Sequence, residues 1–586
     1  MMLFVSQNML EDLGLVLCVA AATTVLFRAI RQPVVVGYLV AGMIVGPHVP
    51  IPLLADSGRI HMLSELGVIL LMFALGLEFS LRKLLRLGPT AGFVTALQVG
   101  LMIWLGFVIG RALGWSKLES IFTGALLSIS STTIVAKAYD ERPPEAGVRD
   151  LVFSVLLAED LTAVMLLAVL TALASGAGLS TAMMGRTVGR LVLFLIGMVG
   201  GGMLIVPAAM RRIVRLGQAE TTLIASIGIC FAFAVMAERA GYSVALGAFL
   251  AGSLVAESGA VESIGDLVVP VRDLFAAVFF VSVGMMIEPQ QIAAHWLALA
   301  VLVAAVLGGK LVGVTVAALL SGSPLKTAVQ AGMSLMQIGE FSFIIAGVGI
   351  ETHATREFLY TLAVAVSAIT TFTTPFMIRA SAPCAEFLAR HLPGRLRSMQ
   401  TIYDGLMERT RGARFPRGSL GRAVAMLVTG AVAVAAILIV NEQDPFDLTS
   451  AAARMLGVSY FNAGLMVDLG ALIVCVPFAA SMFIAAGRLA HAMARRAIPA
   501  DAGEAAATIE AVTGVLQATL LLVVVMPMLA LVQPFVAPLE GIGALVIGVM
   551  LLLIVIWRAA RKFQRSLGKL STLLSGGPSV AGEIKQ

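Results

Sequence analysis

The sequence predicts an all-α polytopic membrane protein, and three observations lead to that fold class. Of the 586 residues, 59% are hydrophobic and only 13% are charged, whereas about a quarter of the residues of a soluble domain are charged. Apolar runs of about 20 residues recur along the chain, each long enough to cross a hydrocarbon core of about 30 Å as a helix. A spanning segment must also satisfy its own backbone hydrogen bonds, which favours helices. Soluble enzymes and nucleic-acid-binding proteins fit this composition poorly.

Thirteen spans are predicted before residue 381. Their approximate bounds are 11–30, 34–50, 62–79, 91–110, 119–137, 150–175, 189–210, 220–238, 241–257, 269–288, 292–320, 326–350 and 356–380. Residues 381–420 are too polar to span, and nine arginines and no lysine occur from Arg379 to Arg422. Four more apolar runs follow, near 421–440, 465–487, 509–532 and 537–557. The predicted organisation is therefore a transmembrane domain over 1–380, an Arg-rich linker over 381–420 and an additional transmembrane region over 421–586.

Basic residues are concentrated in alternate connections. The rich connections hold Arg28 and Arg31; Arg82, Lys83 and Arg86; Lys137, Arg142 and Arg149; Arg211, Arg212 and Arg215; Arg272; and Lys326. By the positive-inside rule these connections are cytoplasmic, which puts the amino terminus outside and the carboxyl terminus in the cytoplasm. The expected location is the bacterial inner membrane. The Arg-rich linker is expected to lie against anionic lipid rather than to bind nucleic acid.

Small residues predict close helix packing in two of the spans. They are Gly37, Ala41, Gly42 and Gly46 in the second span, and Gly247, Ala251 and Gly252 in the ninth. Such residues let helix backbones approach each other, either within one chain or across a dimer interface.

Very few ionisable side chains fall near the middle of the first thirteen spans. They are Glu159 and Asp160 in the sixth span, Lys310 in the eleventh and Glu340 in the twelfth. A charge at the bilayer centre costs about 2.5–3.5 kcal/mol even on the insertion scale, so such residues usually line an ion path. The alternative is a structural ion pair. However, adjacent acids lie about 100° apart on a helix, so one lysine is not expected to neutralise both.

Polar interruptions mark two further spans. The fifth contains Ser128 and then Ser130 to Thr133, and the twelfth contains MQIGEFS, Met336 to Ser342. Hydroxyl clusters often bond back to the i−4 carbonyl and need no functional explanation. Together, however, the two spans enter from opposite sides and stand seven spans apart. That relation is typical of inverted repeats whose broken helices cross near the membrane midplane.

Seven stretches resemble the monovalent cation:proton antiporter-2 family, and within it the Kef-type potassium/proton antiporters with Glu-Asp in the ion-site helix. The stretches are QPVVVGYLVAGMIVGP (32–47), LGVILLMFALGLEFS (66–80), SISSTTIVAK (128–137), LLAEDLTAV (156–164), SVALGAFLAG (243–252), PVRDLFAAVFFVSVGM (270–285) and SLMQIGEFSFI (334–344). The resemblance covers residues 11–380. It implies a homodimer of thirteen-span protomers, each with a dimerisation domain and a core that holds crossed discontinuous helices.

The resemblance also implies roles for individual residues. Asp160 matches the ion-binding aspartate and Glu159 the variable position before it, while Thr132 and Thr133 match residues that line the site. Lys310 matches the basic partner of the acids and is expected to pair with Glu159. Gln337, Gly339 and Glu340 match the motif of the second broken helix, in which Ile338 replaces a more usual glycine. The cytoplasmic nucleotide-binding domain usual in Kef-type proteins is not expected here. The string nearest to its GxGxxG motif, Gly541-Ile542-Gly543, lies in an apolar run without a preceding strand.

The expected function is therefore a non-enzymatic secondary antiporter. It would exchange a monovalent cation, potassium preferred, for protons, with Asp160 binding cation and proton in competition. No cofactor is expected, and the four cysteines lack the spacing of a zinc site. A sodium/proton antiporter with the same site stays open, as does a channel or non-transporting sensor on the same scaffold. No TVGYG-like filter is present in the sequence, which disfavours a potassium channel.

Overall fold

The protein is helical wherever its regular structure is described. A computed structural model describes residues 9–29, 32–48, 57–78, 89–175, 181–391, 448–457 and 459–497, with isolated helical positions at 423–441 and 509–528. Most of the Arg-rich linker, the predicted span 537–557 and the predicted connections around Arg82 and Asp444 lie outside the described residues.

Eighteen helices are described in chain order. They are α1 (Met9–Ala29), α2 (Val34–Val45), α3 (Ser57–Glu78), α4 (Pro89–Ala112), α5 (Lys117–Ser128), α6 (Thr132–Glu141), α7 (Ala146–Ser175), α8 (Thr181–Val214), α9 (Ala219–Arg239), α10 (Val244–Ala256), α11 (Val261–Met285), α12 (Pro289–Ala294), α13 (Trp296–Leu320), α14 (Leu325–Ser334), α15 (Glu340–Glu351), α16 (Glu357–His391), α17 (Leu448–Leu456) and α18 (Tyr460–Ala497).

Each of the thirteen spans predicted before residue 381 has a helical counterpart. Within the described part of the chain, eleven helical segments are long and apolar enough to cross a membrane, and α2, α10 and Thr429–Leu438 are shorter apolar helices. The two spans with polar interruptions are both broken. The fifth divides into α5 and α6, and the twelfth into α14 and α15.

Several helix ends differ from the predicted bounds for identifiable reasons. Helix α2 ends at Val45 instead of residue 50, because Pro47 has no N–H to continue the ladder. Helix α11 begins at Val261 instead of residue 269, so Arg272 lies well inside the helix rather than near its start. Its first turns carry Asp266 and other polar residues, which hydropathy does not count as part of a span. Helix α17 was not predicted at all, since nine residues are too few to span.

The chain divides into two compact units. The first comprises residues 1–321 and 325–390, and the second comprises 322–324 and 391–586. In the second unit, α18 packs through Met482, Ala486 and Leu489 in an apolar cluster that also contains Leu427. The division falls about ten residues after the predicted end of the first domain, because α16 continues as a helix to His391.

Two helix bundles form the first unit. In the scaffold bundle, α3 packs against α10 and α11, α2 against α1 and α11, and α9 and α8 against α10. In the core bundle, α4 packs against α5 and α13, α14 against α13 and α7, and α15 against α5 and α7. All residues singled out as mid-span charges belong to the core bundle.

Glycines bring the scaffold helices into backbone contact. A Cβ on Gly42 of α2 would lie 2.8 Å from the Cα of Gly284 in α11, and one on Gly252 of α10 would lie 2.9 Å from the Cα of Gly76 in α3. Real Cβ atoms essentially never approach other heavy atoms that closely. The small faces of the second and ninth spans therefore pack within one chain.

We predict that Gly252→Ala lowers stability by about 1–3 kcal/mol, because the added methyl group would overlap the Phe73 carbonyl and Gly76 across the crossing. Thermal unfolding of the purified protein in detergent measures the loss. Gly228→Ala is the matched control, since its Cβ meets nothing within 4 Å in α9. Equal midpoints for the two variants would contradict the proposed contact.

Candidate ion-binding site

The first helix break occurs at the hydroxyl-rich run of the fifth span. Helix α5 ends at Ser128 and α6 begins at Thr132, with extended backbone at Ile129 and Ser131 between them. The Ser131 hydroxyl accepts the Ile134 N–H as the cap of α6, a bond that competes with continuation of the helix. The amide of Gln98 on α4 donates to the Ser128 carbonyl at 2.9 Å, which satisfies one free carbonyl at the end of α5.

The second helix break crosses the first. Between α14 and α15, the Gly339 N–H donates to the Ile129 carbonyl at 3.0 Å, and the Ser130 hydroxyl donates to the Leu335 carbonyl at 3.3 Å. A Cβ on Gly339 would lie 2.8 Å from the Ser130 carbonyl oxygen, so only glycine permits this approach. The crossing of discontinuous helices predicted from the sequence is thus present.

Lys310 of α13 is buried against this crossing. Its Nζ donates to the Ser130 hydroxyl at 2.7 Å and to the Gln337 carbonyl at 3.0 Å, and the side chain has no exposed surface. An ammonium in such a place needs its hydrogen bonds, because an unpaired buried charge is very costly. The cation therefore connects the first broken helix to the second.

Glu159 of α7 reaches the same serine from the other side. Its Oε2 accepts the Ser130 backbone N–H at 2.7 Å, and the side chain is fully buried. Within the described structure its Oε1 has no hydrogen-bond partner. Glu159 and Lys310 interact electrostatically. The described residues show no direct ion pair between them, but both bind Ser130, and the expected pairing stays a prediction.

Asp160 points to a different part of the first break. Its Oδ2 accepts a hydrogen bond from the Thr132 hydroxyl at 3.1 Å, and 6% of its surface is exposed. Because adjacent residues project about 100° apart around a helix, the two acids of α7 contact different residues of the break. The spacing argument for two separate environments agrees with this geometry.

A third carboxylate, Glu340, begins helix α15. Its Oε2 accepts the Ser131 hydroxyl at 2.9 Å, and a hydrogen bond of 3.0 Å joins Ser131 to Thr133. Consecutive residues of one break, Ser131 and Thr132, therefore contact Glu340 and Asp160 respectively. Thr133 contacts Ser131 rather than an acid and is exposed.

A cavity of about 300 Å³ leads to these hydroxyl groups. Thr132, Thr133 and Glu340 line it from the core bundle. Arg28, Tyr38, Arg272 and Asp273 are among the scaffold residues that line it, and Arg28 and Asp273 are exposed at its rim. Thr132 thus connects Asp160 with a cavity that borders both bundles.

Ion pairs hold the far ends of the broken helices. At the start of α5, Glu119 accepts two bonds from the Arg356 guanidinium at 2.6 and 3.0 Å. At the start of α14, the Lys326 Nζ lies 2.9 Å from Glu145, just before α7. These pairs anchor the half-helices at the ends opposite to their breaks.

The sequence analysis predicted most of the residues that lie at the crossing, but not all of them. Glu159, Asp160, Thr132, Lys310, Gln337, Gly339 and Glu340 all lie at the crossing. Gln337 contributes its backbone carbonyl, while its buried amide has no hydrogen-bond partner among the described residues. Ser130 and Gln98 received no individual roles, although a lone glutamine in the fourth span is a signal of the same kind as the mid-span charges.

The donor set suits a monovalent cation held by oxygen atoms. Asp160 and Thr132 supply a carboxylate and a hydroxyl. Among the described residues, no group of three or more His, Cys, Asp or Glu side chains could hold a metal ion.

Known proteins are similar to this chain over about three fifths of its length. The "Putative cation/proton antiporter YbaL" of Escherichia coli (strain K12) is 36% identical over 347 residues, which cover 58% of this chain and 62% of that protein. "K(+) efflux antiporter 5" of Arabidopsis thaliana is 30% identical over 385 residues, which cover 64% of this chain and 67% of that protein. The chain thus spans less than two thirds of the length of the E. coli relative.

A solved structure shows the same fold. The sodium proton antiporter MjNhaP1 from Methanocaldococcus jannaschii at pH 8 matches with a TM-score of 0.51 and 15% identity, over 66% of this chain and 99% of that chain. The sequence model described as sodium/hydrogen exchanger, transmembrane, matches residues 14–380. The match extends from α1 into α16 and includes both crossed breaks, both acids of α7 and Lys310. This chain belongs to the sodium/hydrogen exchanger transmembrane family, as a Kef-type member.

Proposed function

We propose that the protein is a secondary antiporter that exchanges a monovalent cation, potassium preferred, for protons by alternating access. The observation that carries the proposal is the place of Asp160, a nearly buried carboxylate that contacts a cavity-lining hydroxyl, Thr132. The names of relatives, among them the K(+)/H(+) antiporter subunit KhtU of Bacillus subtilis, 29% identical over 356 residues, support potassium.

Cation and proton would compete for Asp160. In a site with 6% of the aspartate exposed, an unneutralised carboxylate is costly, and either a cation or a proton removes that cost. Thr132 and carbonyl oxygens of the breaks would replace part of the water around the cation. An empty, charged site would therefore be the least stable state, which favours exchange over leakage.

Glu159 and Lys310 would fix the charge beside Asp160. Their opposite charges interact through Ser130, so the pair adds little net charge to the site. Lys310 also bonds the Gln337 carbonyl of the second break. This arrangement leaves Asp160 as the acid that changes its partner during the cycle.

Alternating access would come from movement of the core bundle against the scaffold bundle. The cavity at Thr132 borders both bundles. A smaller crevice of about 50 Å³ is lined by Ser64 and Phe279 of the scaffold, by Phe343 of the core and by Tyr360 of α16. Enlarging the second cavity while closing the first would transfer access to Asp160 from one side to the other.

The surroundings of the protein are also part of the proposal. If the basic connections are cytoplasmic, as the positive-inside rule predicts, the cavity at Thr132 would open on the cytoplasmic side of a bacterial inner membrane, with the amino terminus outside. The protein would act as a homodimer, with the Arg-rich linker on anionic lipid at about 1 kcal/mol per basic residue. A sodium/proton antiporter is the second candidate, supported by the name of the matched family.

Ion exchange is tested directly with a pH-sensitive dye in proteoliposomes that carry an imposed proton gradient. Potassium, sodium, lithium and rubidium are added in turn, and dye recovery reports proton movement driven by each cation. Recovery at the lowest concentration with potassium supports the proposal, and recovery with sodium alone supports the second candidate. If no cation moves protons, the protein is not an antiporter.

We predict that Asp160→Asn abolishes cation-driven proton movement in this assay while the protein still folds, because an amide fills the same space but cannot exchange a proton. Asp150→Asn is the matched control on the same helix, since Asp150 is exposed, and it should retain exchange. Wild-type exchange in Asp160→Asn would refute the assignment of this aspartate.

We predict that Lys310→Met destabilises the protein by about 3–5 kcal/mol, because Glu159 is left as an uncompensated buried charge. Adding Glu159→Gln should restore much of the lost thermal stability. Lys326→Met, which breaks a pair whose side chains are 42% and 66% exposed, is the control and should cost at most about 1 kcal/mol. Strictly additive losses in the Lys310 and Glu159 double-mutant cycle would show that the two residues do not interact.

We predict that a chain ending near residue 420 still exchanges ions, because the first unit contains both breaks, the acid pair and Lys310. The same dye assay measures exchange, and size-exclusion chromatography with light scattering reports whether the shortened protein is folded and dimeric. A shortened protein that is folded, dimeric and inserted but inactive would assign the second unit a part in transport.

A further inference from the structure

A further cavity, of about 170 Å³, lies within the first unit away from the ion site. Its walls come from the end of α6, the segment before α7, and helices α14 and α16. The lining includes Tyr139, Arg142, Glu145, Ser334 and Arg379. This cavity differs from the one at Thr132, because the two have no lining residue in common.

Two guanidinium groups supply the charge of this cavity. Arg142 and Arg379 are exposed, and neither forms an ion pair or side-chain hydrogen bond with another described residue. The carboxylate that lines the cavity, Glu145, already lies 2.9 Å from the Lys326 Nζ. The described side chains therefore leave the two arginine charges uncompensated.

The polar wall of the cavity is already organised by its own hydrogen bonds. The Tyr139 hydroxyl donates to the Ser334 hydroxyl at 2.8 Å, and Ser334 donates to the Gln330 carbonyl at 2.7 Å. The Ser381 hydroxyl donates to the Ile378 carbonyl at 2.8 Å. Since these hydroxyl donors are used within the wall, the arginine N–H groups are the charged donors left for a ligand.

The start of α7 adds to the attraction for an anion. This helix has 30 residues and begins at Ala146, between the lining residues Glu145 and Val148. A helix amino terminus carries about half a positive charge from its aligned peptide dipoles, and its N–H groups favour phosphate. A planar guanidinium also binds phosphate through two parallel hydrogen bonds.

We propose that this cavity, which we call the arginine cavity, binds a phosphate-bearing anion between Arg142 and Arg379. The anion belongs either to a free cytosolic phosphate compound or to a phospholipid headgroup. Tyr139 lies on α6, which follows the first break, and Ser334 lies on α14, which precedes the second break. Because both residues form the cavity wall, a bound phosphate links α6 to α14. The site is separate from the exchange of ions at Asp160 and does not depend on it.

Binding is measured on the full chain with radiolabelled inorganic phosphate by equilibrium dialysis in neutral detergent, at constant ionic strength set with chloride. Saturable binding that persists in this chloride background and that pyrophosphate displaces is the expected result for the wild type. Arg142→Gln and Arg379→Gln should each weaken binding by about tenfold or more, since each removes a charged hydrogen-bond donor. Arg215→Gln removes an arginine that is also exposed but lies outside the cavity, and this variant should bind phosphate as the wild type does.

Thermal unfolding in nanodiscs separates the two sources of phosphate. An arginine-dependent rise in midpoint with phosphatidylglycerol over phosphatidylcholine, together with loss of labelled phosphate, identifies a lipid headgroup. Labelled phosphate that stays bound in both kinds of nanodisc identifies a free anion. The proposal is overturned if the wild type binds neither source saturably, or if both arginine variants bind as it does. Should those variants fail to fold, the wild-type displacement experiment alone decides.

Discussion

Ser130 connects the two buried charged side chains, Glu159 and Lys310, with both helix breaks. Its backbone N–H donates to Glu159, its hydroxyl accepts from Lys310, and the same hydroxyl donates to the Leu335 carbonyl of the second break. Every polar group of the residue except its carbonyl is used in this way. Unpaired, each of these buried partners would cost several kcal/mol, so the two half-helix pairs and the two charges depend on one another.

The sharing of Ser130 also explains why two adjacent acids can coexist in one helix. Glu159 is fully buried and lies within the influence of Lys310, whereas Asp160 contacts the Thr132 hydroxyl beside the cavity. Two carboxylates that are adjacent in the sequence thus lie in different environments. The helix geometry separates a fully buried carboxylate from one that contacts a hydroxyl of the cavity wall.

The sequence predicted the fold and much of the site because both depend on patterns along single helices. The length of the apolar runs predicted the thirteen spans, and the position of ionisable residues near the middle of those spans singled out Glu159, Asp160, Lys310 and Glu340. The contact between Lys310 and Ser130 could not be predicted, since it joins residues 180 positions apart and depends on side-chain reach across three helices. Likewise, the early start of α11 was missed because its first turns are polar enough to resemble a connection. The arginine cavity needed four segments to be placed together before it could be recognised.

The glycine crossings of the scaffold follow the symmetry of the chain. Gly42 on α2 meets α11, and Gly252 on α10 meets α3; shifting the second and third spans by seven gives the ninth and tenth, so each crossing is the counterpart of the other. With backbones in contact at both places, the scaffold helices have little room to slide. A pair of spin labels on α3 and α10 would consequently serve as a fixed internal ruler. Any distance change from that ruler to a label on α6 would report displacement of the core alone.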